Sequence, residues 1–260
     1  MGYKVHITET CEDDLPHLIT HIETTPGPTA DGATTPTIHA ALQQRDLLPG
    51  THIVDTGFLD AELLVASQEH YGVDLLGPTR LDHHWQARQG TGFDAQHFQI
   101  DWSQQHAICP AGKISTGWMP LIDTRGNPII QVRFASKDCR CCEQVSQCIR
   151  STKRYPRRTL TIRPQPQYQA LQAARQREAT DAFRAEYARR AGIEGTISRG
   201  TRSTRLRRTR YMGLRRVHLG HLLTAAGLNL LRLGEWLLET APAKTRVTPF
   251  ARLMATATAA

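Results

Sequence analysis

Two carboxylates and a group of cysteines are the residues whose types and spacing could do chemistry. Asp55 closes a β-branched run (THIVDTG) and is followed by the turn-forming Gly57. It therefore sits where a buried strand surfaces, the place at which α/β sheets present reactive groups. The same position also suits an ordinary turn former or helix cap. Glu194 lies between Gly192 and Gly195, at helical spacing from Tyr187 and from Arg190 or Ala191, and a helix cap is again the plain alternative.

Cys109, Cys139, Cys142 and Cys148 give one distant cysteine, a CxxC pair and a fourth downstream. Four thiolates so spaced can close a tetrahedral zinc site, with the CxxC as its knuckle and Cys141 as a substitute ligand inside it. Such a zinc would be structural, since no open coordination position is implied. The alternative is a set of buried thiols, although a polar, arginine-rich segment is a poor setting for core packing. Cys11 stands apart from the group.

Arginines crowd around these positions. Arg199, Arg202, Arg205, Arg207, Arg208, Arg210, Arg215 and Arg216 follow Glu194, and Arg150, Lys153, Arg154, Arg157 and Arg158 follow the cysteines. The formal net charge is +8 and the pI about 9.5, with arginine supplying most of the excess. A planar guanidinium matches phosphate oxygens, so the balance points to nucleic acid before membrane, against the plain reading of solvated basic faces.

The elements that must position these residues follow from periodicity. GYKVHITET and HLITHIETT alternate on either side of the acidic turn CEDDLP and predict a hairpin. After a Pro, Gly and Thr loop, Ile38–Arg45 reads as a short helix, THIVD as a strand, DAELLVASQEH as a helix and YGVDLLGPT as a second buried strand. Residues 80–166 change character and read as a cysteine-rich insertion. Residues 167–191 read as one strong helix broken at Gly192, and Val217–Trp236 as a buried amphipathic helix whose polar interruptions rule out a membrane span. The divisions expected are 1–79, 80–166, 167–240 and a disordered tail, 241–260. No basic, then apolar leader opens the chain, so a cytoplasmic protein with reduced thiols is expected.

GYKVHITETCEDDLPHLITHIETT, HIVDTGFLDAELL, CPAGKISTGW, VRFASKDCRCCEQVSQC and YARRAGIEGTISRGTRSTRLRRTRYMGLRRVHLGHLLTAAGLNLLRLGEW together resemble, in order, the back two thirds of a DDE transposase of a bacterial insertion sequence. The resemblance implies an α/β, RNase H-like mixed sheet flanked by helices and interrupted by the insertion. It implies two Mg²⁺ ions held by two aspartates and a glutamate, with Asp55 matching the second aspartate and Glu194 the glutamate. Tyr187 and Arg190 match the tyrosine and arginine before that glutamate, while the family's later basic residue falls at Arg202, one place beyond its expected position. The first aspartate would lie upstream of GYKVH, so an N-terminally truncated product, inactive alone, is expected; Glu9, Asp13 and Asp14 follow the strand and do not replace it. The partners implied are transposon-end and target duplex DNA, and a dimer with itself or with a full-length transposase, at the nucleoid when DNA-bound. The competing readings are a non-catalytic, zinc-containing DNA-binding remnant that competes with a full-length transposase, and a pseudogene product without a role.

Overall fold

The computed structural model describes residues 2–151, 154–204 and 206–239. Lys153, Arg205 and the expected tail, 241–260, lie outside the described residues. The elements run β1 (Tyr3–Glu9), β2 (Ile19–Pro26), α1 (Thr35–Gln43), β3 (Thr51–Ile53), α2 (Ala61–Tyr71) and β4 (Asp74–Leu76). Next come α3 (Trp85–Gln89), β5 (Gln99–Asp101), β6 (His106–Ile108), β7 (Gly117–Ile122), β8 (Pro128–Arg133), α4 (Ser136–Arg140), α5 (Val145–Cys148) and β9 (Thr159–Ile162). Four helices close the series: α6 (Gln165–Glu178), α7 (Asp181–Ala188), α8 (Ala191–Ser203) and α9 (Leu214–Leu237). The architecture is mixed α/β with small sheets, and the chain divides into two units, residues up to 27 with those from 192, and residues 28–191.

In the first unit β1 and β2 form the expected antiparallel hairpin, with Val5 opposite Thr24 and Ile7 opposite Ile22. The register shift between Thr8 and Glu9 interrupts the alternation and brings Ile19 into one cluster with Ile22, where Ala225 and Leu228 of α9 cover them, with Val5 and Ile7 beside them. Asn229 fastens α9 to the strand through its amide: Oδ1 accepts from Ile19 N at 2.8 Å and Nδ2 donates to Ile19 O at 2.9 Å. Buried polar groups inside a helix–sheet contact must be paired in this way. Among the described residues no helix is long and apolar enough to cross a membrane.

The second unit holds β3 and β4 as a parallel pair, Thr51 opposite Asp74 and Ile53 opposite Leu76. A parallel pair needs a crossover, which α2 supplies. Asp60 caps it by accepting from Glu62 N and Leu63 N at 3.0 and 2.9 Å, and Gly72, at φ 66°, ends it in the left-handed conformation that glycine adopts without strain. Beyond β4 the polar segment has a core of its own: β7, β8 and β9 form an antiparallel sheet around Phe98, Ala107, Ile130, Val132, Phe134, Leu160 and Ile162. Trp102 packs edge-on against Trp118 and Tyr168 at its margin.

The single helix expected over 167–191 is two helices. Thr180 accepts from Phe183 N at 3.2 Å and so starts α7, while Glu178, at the end of α6, turns back to accept from Thr79 N and Oγ1 at 3.0 and 2.8 Å. A capping threonine outweighs helix propensity on either side of it. The expected break falls at Arg189 and Arg190, between α7 and α8, and not at Gly192, which lies with Gly195 inside α8. A Cβ at Gly192 would stand 3.1 Å from His17 Nδ1 and 3.5 Å from Glu9 Oε1, so this glycine serves close approach to the hairpin.

Candidate functional site

Asp55 sits just past β3. Val54 N donates to Leu76 O at 2.8 Å, extending the parallel pairing by one residue, and Val54 itself is buried against Leu59 and Leu75. The next residue is the first to face solvent, and the Asp55 carboxylate is 56% exposed. Its Oδ1 accepts from Thr56 N at 2.8 Å at the start of a short 3₁₀ turn, Thr56–Phe58, so the capping role weighed from sequence is met as well. Gly77 secures the register of this strand end. A methyl there would lie 2.4 Å from Val54 O, so no larger residue fits without displacing the backbone that carries Asp55.

The partner of Asp55 comes from far along the chain: Arg190 Nη2 stands 3.7 Å from Asp55 Oδ2. Tyr187, three residues earlier, stacks on the buried Phe183 at 5.6 Å between centroids, with the rings 5° from parallel. Two of the residues singled out beside Glu194 are thus engaged within the unit of Asp55, Arg190 by charge and Tyr187 by stacking.

Glu194 belongs to the other unit, where it occupies the first turn of α8 and is exposed. A carboxylate there interacts favourably with the positive end of the helix dipole. Two residues on, Thr196 is 1% exposed and donates to Glu9 Oε2 at 2.5 Å. Arg232 of α9 reaches the same carboxylate oxygen at 2.9 Å and donates to His17 O at 2.5 Å. Glu9 is therefore the buried counter-charge that locks α8 and α9 onto the hairpin, a task no local pattern announced.

The arginines divide by geometry. Arg199 is held by Glu235 through both Nη atoms, at 2.9 and 2.7 Å. Arg202, Arg207, Arg208, Arg210, Arg215 and Arg216 are exposed, around a loop pinned by the buried Leu206 against Gly200 and Leu228. Arg150 lies over the Trp85 ring at 4.0 Å and Arg154 over Tyr155 at 5.4 Å. Arg158 turns inward over Phe98, donating to Cys148 O and Phe93 O at 3.4 and 3.3 Å.

Cys109, Cys139, Cys142 and Cys148 line a single cavity with Phe134, Val145 and Arg158, whereas Cys141 is exposed. Burial pushes the Cys148 thiol up to about 11 and raises that of Cys139. Among the described residues, no group of three or more His, Cys, Asp or Glu side chains is already arranged to hold a metal ion.

Residues 108–234 match the family described as transposase DDE domain. That span takes in the four cysteines, Tyr187, Arg190, Glu194 and the arginines that follow it; Asp55 lies before it. No curated protein and no solved structure matches the chain.

Proposed function

We propose, from the match of residues 108–234 to the transposase DDE domain, that this chain acts on DNA as a DDE transposase that cleaves and transfers strands, Asp55 in one unit and Glu194 in the other each offering a carboxylate to Mg²⁺. The observation that carries the reading is the family match, because Glu194 and the exposed arginines after it fall inside the matched segment. An RNase H-like sheet is part of the same reading. An antiparallel hairpin followed by a parallel pair, with an acid at the end of a parallel strand, is consistent with it.

Both carboxylates fit the cation: they are exposed oxygen donors, and Mg²⁺ takes one or two carboxylates while keeping several of its waters. When bound, paired Mg²⁺ ions would supply activation of the attacking hydroxyl and stabilisation of the leaving oxygen in an in-line displacement at phosphorus. The chain's own residues bind and orient. The Thr56 amide fixes the Asp55 carboxylate, Arg190 balances its charge from 3.7 Å, and the arginines from 202 to 216 take backbone phosphates of a duplex.

The test is nicking of a supercoiled plasmid in Mg²⁺ or Mn²⁺ by the full chain, beside Asp55→Asn and Glu194→Gln. Nicking by the parent that both substitutions abolish while DNA affinity holds would place both carboxylates in the reaction and overturn the expectation that the chain is inactive alone; nicking that survives either substitution removes that residue from the reaction. A parent that binds duplex without ever nicking it would leave the second reading, a DNA-binding protein that competes with an active transposase, which the exposed arginine run favours. Replacing Arg207, Arg208 and Arg210 with alanine should weaken binding to any duplex. It should also flatten the dependence of log K on log salt by roughly 0.9 for each phosphate contact removed; an unchanged slope would place the DNA elsewhere.

A further inference from the structure

We infer that Cys109, Cys139, Cys142 and Cys148 hold one structural Zn²⁺ that ties the β6–β7 connection, α4, α5 and the approach to β9 into one unit. The four residues come from three separated stretches of chain yet line one cavity of about 30 Å³, whereas the neighbouring Cys141 is exposed and takes no part in its lining. Chance packing of thiols has no reason to select four and exclude the fifth that lies between two of them. The four thiols and Arg158 face one small space, and tetrahedral zinc takes four such ligands at Zn–S distances of about 2.3 Å.

The backbone is prepared for thiolates. Lys113 N donates to Cys109 Sγ at 3.3 Å across a turn in which Gly112 takes φ 76°, and Arg158 N donates to Cys139 Sγ at 3.4 Å. N–H donors aimed at sulfur favour its charged form. A tetrathiolate zinc centre carries a net charge of −2 and needs a counter-charge. Arg158 lines the cavity with its Nε buried and without a hydrogen-bond partner, a costly arrangement for a guanidinium unless an anionic centre stands beside it.

Binding converts four thiols to thiolates and releases four protons to the solvent, so the affinity falls as the pH is lowered. Among the described residues no three of these side chains already stand in a metal-holding arrangement, so holding the ion requires the sulfurs to draw together around it. The ion's place is structural: four protein ligands leave no open position, and Cys141 stays outside.

The experiment is metal analysis of the full chain produced in zinc-supplemented medium, followed by replacement with Co²⁺. One zinc per chain, together with the intense visible bands and sulfur-to-cobalt charge transfer of a tetrahedral tetrathiolate, is expected. Cys141→Ser should leave both unchanged, whereas Cys109→Ser should lose the metal or shift the cobalt bands to those of a three-sulfur site. Should Cys109→Ser fail to fold, titration of the parent with a mercurial reagent serves instead, zinc being released as four thiols react. Substoichiometric zinc, a weak octahedral cobalt spectrum, or dependence on Cys141 would overturn the assignment. This outcome is independent of nicking activity and leaves the transposase reading standing or falling on its own test.

Discussion

Arg232→Met is expected to lower the free energy of unfolding by about 3–5 kcal/mol, the cost of leaving a buried carboxylate without its partner. The side chains of Glu9 and Arg232 are 6% and 15% exposed, and their oxygen and nitrogen lie 2.9 Å apart. Arg232 also donates to the Thr196 hydroxyl, which itself donates to Glu9, so one guanidinium closes a three-membered network. A double variant, Glu9→Leu with Arg232→Met, should recover most of the loss, because replacing both charges with apolar groups removes the penalty along with the attraction. Urea unfolding of the two variants decides it: equal instability would show that lost packing and not the stranded charge is responsible. The consequence for the site is local. Thr196 is two residues from Glu194, so loosening this network should let the first turn of α8 fray even where the chain still folds.

What could be read from sequence was what local pattern encodes. Alternation of apolar residues gave the hairpin, the run DAELLVASQEH gave α2, and a β-branched run stopping at a carboxylate placed Asp55 at a strand end. The spacing of the cysteines pointed to a cluster, and four of them do line one cavity. Long-range pairing left no such trace. Glu9 and Arg232, Asp55 and Arg190, and Thr79 and Glu178 are distant in sequence, and nothing local to one member of a pair announces the other. The helix boundary at Thr180 was missed because a good helix-forming composition hid a cap, and Gly192 was taken for a breaker when its use is close approach. The segment 80–166 was read as a polar, cysteine-rich insertion, and the core inside it left no local pattern because its buried residues are spread one or two to a strand; only the sheet of β7, β8 and β9 gathers Ile130, Val132, Leu160 and Ile162.

Between pH 7 and pH 4 the chain is expected to lose roughly 3 kcal/mol of stability through one histidine pair. His39, fully buried on α1, meets His52 of β3 with Nε2 and Nδ1 2.9 Å apart, and Tyr71 sets its ring edge-on to His39 at 5.4 Å. One ring must donate its N–H and the other accept it, so the bond exists only while the acceptor is neutral. Burial holds His52 down to about 4, with the neighbouring His39 adding to the effect, and burial lowers His39 as well. Well above pH 6.5 the pair is uncharged in both the folded and the unfolded chain and has no linkage to pH. As pH falls through 6.5 the unfolded chain takes up protons that the folded chain refuses, and the balance shifts toward unfolding until His52 protonates near 4 in the folded chain. Carboxylates titrate in the same window, so the quantity to measure is a difference: the pH dependence of unfolding in the parent minus that in a His39→Phe, His52→Leu variant. A variant that loses stability with acid as steeply as the parent would sink the assignment. A shallower curve would locate the acid sensitivity at the contact between α1 and β3, the strand whose end carries Asp55, and acid should then loosen that carboxylate's setting before it unfolds the β7–β8–β9 core.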